Sequence, residues 1–242
     1  MRADLRLVEL GLVPSRARAQ AEIKAGGVFH DGRKIERSSD EVPADAVLKI
    51  DELANAFVSR GALKLVHALD HFGIDVSDSV ALDIGASTGG FTEVLLVQGA
   101  ARVYAVDVGH GQLHPKLRSD PQVIAVEGVN ARSISRAVVP EPVDMIVADV
   151  SFISLKLALP AAFALAAPRA VLVALIKPQF EAGRGLVKKG VVRDEAVHRQ
   201  VCEDISAWID ERGWRVLGVT PSPMLGGDGN REFLIAAHHT GE

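Results

Sequence analysis

The sequence predicts an α/β protein in which a mostly parallel sheet, covered by helices on both faces, follows a small α+β unit. Three observations carry that prediction. From Val80 onward, apolar runs alternate with helical patterns almost without interruption, the signature of a doubly covered parallel sheet. The last two strand-like runs, Trp214 to Val219 and Glu232 to Ala237, are joined by a short loop containing LGGDGN, which makes them antiparallel. Residues 4 to 50 have a separate pattern of two helices and three short strands.

In chain order, Leu5, Leu7, Val8, Leu10 and Leu12 give a first helix closing at Gly11. Pro14-Ser15 starts a second, Arg16 to Ala25, stopped by Gly26-Gly27. Val28-Phe29-His30 and Lys34-Ile35 flank Asp31-Gly32, a strong hairpin signal, and Ala46 to Ile50 is a third strand. Basic residues gather on the second helix and hairpin: Arg16, Arg18, Lys24, Arg33, Lys34 and Arg37 against Glu22, Asp31 and Glu36. The order LxxxGLVPSRARAQAEIKAGGVFHDGRKI closely resembles the S4 RNA-binding domain. That resemblance implies a surface for structured RNA, with arginine and lysine on phosphates.

Asp51 to Ala56 reads as a polar connector, giving expected limits of 1–52 for the first domain, 53–60 for a linker and 61–242 for the second. Leu65, Leu69 and Phe72 then recur at helical spacing. The stretch VALDIGASTGGF, Val80 to Phe91, is a buried strand, a glycine-rich turn and a helix start, where free N–H groups attract an anion. The next strand, Arg102 to Asp107, ends on an acid that can hold a ribose diol in such folds. Ser87 breaks the G-x-G-x-x-G dinucleotide pattern, which disfavours a nicotinamide oxidoreductase. Asp83, Gly85 and Gly89 instead match the D/E-x-G-x-x-x-G pattern of S-adenosylmethionine (SAM) enzymes.

Further strands are expected at 122–127, 143–150 and 170–177, the last after a helix and a turn at Pro168-Arg169, and a helix from about Asp194 to Arg212. Seven strands with the last antiparallel describe the Rossmann-like sheet of class I SAM-dependent methyltransferases. Ligands bind such sheets at the carboxyl ends of the strands. Asp149 ends strand four, Lys177 ends strand five, and Glu232 opens the antiparallel strand, so all three face one mouth. Asp149 is followed by Val150-Ser151-Phe152 and lacks the Asn/Asp-Pro-Pro-aromatic run used on exocyclic amines of bases.

SRGALKL, DIGASTGGFT, EGVNAR, ADVSFISL, IKPQFEAGR and GNREFL, in this order, resemble the TlyA-type ribosomal RNA methyltransferases, which join an S4 domain to an FtsJ-like domain. The resemblance implies methyl transfer from SAM to cytidine 2′-hydroxyls in ribosomal RNA or subunits, without a metal. It places a Lys-Asp-Lys-Glu tetrad on Lys64, Asp149, Lys177 and Glu232. Lys177 is the candidate base, and SAM is expected along Asp83, Gly85, Ser87, Gly89 and Phe91, with Asp107 on its ribose and Asn130 near the adenine. Ala62 stands where the family usually has glycine, and Ala54 to Phe57 replace its aromatic connector. Arg60, Lys188 and Lys189 join Arg16, Arg18, Lys24, Arg33 and Lys34 as candidate RNA contacts. The basic, glycine-rich segment Ala182 to Asp194 reads equally as a solvated loop or an RNA-clamping lid.

A net charge of −4 does not itself advertise nucleic acid. The single cysteine, Cys202, fits a reducing cytoplasm and a buried apolar role, and no secretory signal follows Met1. Leu157 to Ile176 is long enough for a membrane span, but Pro160, Pro168 and Arg169 interrupt it. TlyA-type proteins are often described as haemolysins, so a membrane-active protein is one competing reading. A catalytically silent RNA-binding module is another.

Overall fold

The computed structural model describes residues 1–50, 57–187 and 189–241, apart from the side chains of Ala21, Lys24, Ala25 and Arg184. The connector expected at Asp51 to Ala56, and with it most of the proposed linker, lies outside the described residues. Two compact units result, Met1–Arg60 and Gly61–Glu242.

In the first unit, α1 (Ala3–Glu9) and α2 (Arg16–Ala25) pack on a three-stranded antiparallel sheet. Its strands are β1 (Val28–His30), β2 (Arg33–Lys34) and β3 (Leu48–Ile50), with β1 in the middle. Ser15 caps α2 by accepting the Arg18 N–H, and Gly26 ends it in the left-handed conformation. Asp31 and Gly32 both have positive φ, as the tight hairpin turn between β1 and β2 requires. Leu7, Ala19, Ile23, Val28 and Leu48 form the core. Fully buried Asp4 accepts hydrogen bonds from Arg2, Arg16 and Gln20, tying α1 to α2. Those donors, Arg2 foremost, hold its carboxyl well below the usual carboxylate range.

The second unit begins with α3 (Ala62–Phe72), whose Leu65 and Leu69 are buried. Then follow β4 (Val80–Ile84), α4 (Gly90–Val97), β5 (Arg102–Asp107), α5 (Pro115–Arg118), β6 (Val123–Glu127) and β7 (Val143–Ala148). The short helices α6 (Leu155–Ala158) and α7 (Pro160–Phe163) lead into β8 (Ala166–Ile176) and α8 (Pro178–Glu181). Helix α9 (Glu195–Asp210), β9 (Trp214–Pro221) and β10 (Phe233–His239) complete the chain. The sheet order is β6-β5-β4-β7-β8-β10-β9; β4 to β8 run parallel, and β10 is antiparallel to both of its neighbours. The chain moves outward from β4 to β6 and returns to β7 on the other side, making a topological switch point beside β4.

One expectation needs correcting. The strand read as 170–177 begins at Ala166, and Pro168-Arg169 is a bulge inside it, not a turn before it. Val143 pairs with Ala166 and Met145 with Val171, so the intervening β8 residues loop out, with Arg169 at φ 69°. Proline has no N–H for the ladder, and a bulge is where a strand tolerates it. The apolar run 157–176 is thus divided among α6, α7 and a central strand, and no helix among the described residues is long and apolar enough to cross a membrane. Leu172 and Ile176 of β8 are fully buried, each stabilising by about 1.5–3 kcal/mol relative to exposure.

Candidate active site

A cleft of about 930 Å³ opens at the carboxyl ends of the parallel strands. It is lined by Gly85 and Ser87 after β4, Asp107 at the end of β5, Asn130 after β6, the 149–154 loop after β7, and Gln179 and Phe180 of α8. Gly85 sits at φ 83°, and a Cβ there would fall 2.5 Å from the Asp149 carbonyl oxygen. Only glycine lets the β4 and β7 exits approach this closely. Asp107 braces the turn, accepting the N–H of Ser87 at 2.8 Å and of Gly109 at 2.7 Å.

Of the candidate cofactor residues, Gly85, Ser87, Asp107 and Asn130 line this cleft, whereas Asp83, Gly89 and Phe91 do not. Phe91 is buried in the core. A Cβ on Gly89 would run into the Leu117 side chain, so that glycine serves packing at φ 97°. Asp83 is wholly buried beneath the turn, where its Oδ2 accepts the Thr92 hydroxyl at 2.6 Å and its Oδ1 has no hydrogen-bond partner among the described residues. Burial pushes its carboxyl up to about 7, the Thr92 bond opposing.

The four candidate catalytic side chains form two ion pairs. Lys64, on the first turn of α3, donates to Glu232 Oε2 at 2.6 Å, and both are buried. Lys177 Nζ lies 2.6 Å from Asp149 Oδ1 as a charge contact that is not aligned as a hydrogen bond, and donates to Ser151 Oγ at 2.9 Å. Phe233 pairs with Ile176, so Glu232 and Lys177 occupy neighbouring strand ends. A Cβ on Gly226 would lie 2.0 Å from the Glu232 carboxylate, which therefore rests directly against loop backbone.

Four residues around the site were given no role by sequence reasoning. Buried Asn230 accepts from Val192 N and donates to the carbonyls of Gly190 and Gly227, joining the loop before Glu232 to the base of the basic segment. Glu181 accepts the N–H of Leu155 at 2.7 Å and the Ser154 hydroxyl at 2.5 Å. Phe152, 91% exposed and at φ 63°, packs its ring against Phe180 at 5.1 Å. Ser151 holds Lys177. The stretches ADVSFISL, IKPQFEAGR and GNREFL contain all four, but no sequence spacing announces a loop-to-helix clamp.

The candidate RNA contacts are divided. Arg16 is bonded to Asp4 and Arg18 to Glu22, each with about half of its side chain exposed. Arg33 and Lys34 are exposed on β2, Arg60 is partly exposed, and Lys189 is exposed at φ 50°. Lys188 and the Lys24 side chain lie outside the described residues.

Sheet order, switch-point cleft and glycine turn together define the class, a Rossmann-like methyltransferase. The FtsJ-like methyltransferase family model matches residues 57–239, and the S4 domain model matches residues 1–48. The chain is 44% identical over 236 residues to the 16S/23S rRNA (cytidine-2′-O)-methyltransferase TlyA of Mycobacterium tuberculosis, covering 97% of this chain and 88% of the relative. It is 40% identical to Hemolysin A of Brachyspira hyodysenteriae, covering 97% and 98%. A solved structure from Streptococcus thermophilus that carries a hemolysin label superposes with a TM-score of 0.78 at 40% identity, covering 99% of this chain and 88% of that one. The chain belongs to the FtsJ-like methyltransferase family, among its TlyA-type members with an S4 domain in front.

Proposed function

We propose that this protein transfers a methyl group from SAM to the 2′-hydroxyl of a cytidine in ribosomal RNA, in the cytoplasm. The observation that carries the reading is the pair of lysine–carboxylate contacts, Lys64 with Glu232 and Lys177 with Asp149; Lys177 and Glu232 stand at neighbouring strand ends, and Asp149 lines the cleft. The TlyA relative named above supports the substrate class. The residues present fit the cofactor: the Gly85–Ser87 turn and a carboxylate, Asp107, line a cleft of nucleoside size. Gly85, Ser87, Asp107 and Asn130 would hold it, and when bound it supplies an electrophilic methyl on a sulfonium.

The chain's own residues then orient the sugar and remove one proton. With the cofactor bound, the methyl–sulfur bond would break with its electron pair left on sulfur as the ribose oxygen takes the methyl, and the ribose O–H proton would pass to Lys177 Nζ. Lys177 must offer a neutral amine at that moment, its earlier proton having left to solvent. The Lys64–Glu232 pair binds the ribose edge, and Phe152 with Phe180 offers a stacking surface for an unpaired base. Exposed Arg33 and Lys34 supply phosphate contacts from the S4 unit.

The test incubates the protein with methyl-labelled SAM and ribosomal subunits from a strain lacking it, followed by nucleoside mass spectrometry. Label in 2′-O-methylcytidine is the expected result; label on a base, or none, sinks the proposal. Lys177→Ala should lower transfer by about 10²–10⁴-fold with SAM affinity retained, and full activity in that variant would remove Lys177 from its role.

A further inference from the structure

We propose that Ser151 is a positioning residue for Lys177, its hydroxyl setting the direction in which the amine faces the substrate. The inference rests on the reading of Lys177 as proton acceptor. Asp149 stands 2.6 Å from Nζ, yet its Oδ1 is not aligned as a hydrogen-bond acceptor, so it supplies charge without direction. Direction comes from Ser151 Oγ, which accepts from Nζ at 2.9 Å in the aligned side-chain bond this amine makes among the described residues.

Lys177 is only 8% exposed, so its stem is held by packing, while the terminal group can still spin about Cε–Nζ. A neutral amine has two N–H donors and one lone pair. Committing one N–H to Ser151 stops free spin and confines the lone pair to the two positions turned away from the serine. Proton transfer needs that geometry before any driving force matters, and small misplacements in active sites are expensive in rate.

The serine is itself held. Its loop lines the cleft, starts at the Lys177–Asp149 contact and ends where Glu181 binds Ser154 and Leu155. Ser151 is exposed and outside the core, so removing its hydroxyl leaves the fold intact.

Steady-state methyl transfer to ribosomal subunits by Ser151→Ala, Ser151→Thr and Lys177→Ala, with SAM affinity measured by calorimetry, tests this. Ser151→Ala should lower kcat about tenfold, with both KM values and the SAM Kd within about twofold of the parent, and Ser151→Thr should recover most of the loss. A parental kcat in Ser151→Ala, a loss appearing in KM or SAM affinity instead, or a loss that threonine does not recover overturns the role. An active Lys177→Ala defeats the underlying reading of the lysine. An inactive Lys177→Ala beside a fully active Ser151→Ala defeats only the serine.

Discussion

Asp83 is an acid placed where an acid is unstable. It is fully buried, takes one hydroxyl bond from Thr92, and its second oxygen has no partner among the described residues. Its folded value of about 7 lies above the ordinary 3.8, so the native state binds more protons than the unfolded chain between those values. This group's contribution to stability therefore falls as pH rises from about 4 to about 7 and is level above that. Asp83→Asn keeps an acceptor for Thr92 and removes the ionisation. Relative to the parent, it should gain on the order of a few kcal/mol between pH 4 and pH 7, read from urea unfolding curves. A difference independent of pH would show that Asp83 stays ionised throughout. Cys202 is only half-buried, packed against the core and not enclosed in it as its sequence context suggests, and that burial pushes its thiol up to about 12, which disfavours the thiolate at neutral pH.

At the scale of elements, the exits of β7 and β8 act as one device. Lys177, directly after β8, holds the start of the β7 loop, while Glu181 of α8 holds its end by capping α6. Burial raises the Glu181 carboxyl above the usual range, and its two acceptor bonds oppose that shift. Glu181→Ala leaves the Leu155 N–H and the Ser154 hydroxyl without this acceptor, at a cost of about 1–3 kcal/mol. Amide exchange over residues 150–156 should then quicken while SAM affinity changes little; unchanged exchange would mean the loop is held by other contacts. The positive φ of Phe152 belongs to the same device, a side chain held outward by anchors on either side.

For the whole molecule, net charge is −4 while the S4 unit exposes Arg33 and Lys34, so any RNA affinity is local and electrostatic. Reversing both charges should weaken binding to ribosomal RNA and lower the slope of log affinity against log salt by roughly one to two, with SAM affinity unchanged. An unaltered slope would exclude the hairpin as a phosphate contact. Much of the architecture was legible because it is written in local pattern: Asp31-Gly32 for the hairpin, Gly26 for the end of α2, and unbroken apolar runs for the buried parallel strands. The β8 bulge was misread because Pro168-Arg169 looks alike as a turn and as an interruption that neighbouring strands bridge. Sequence alone determined which residue types lie at the strand ends and the order in which they come. Tertiary structure decided their partners, since Lys64 and Glu232, separated by 168 positions, meet only through the packing of α3 against the antiparallel strand. It also decided that Asp83 and Phe91 belong to the core beneath the cleft, because burial depends on what the fold lays over a residue and not on its neighbours in the chain.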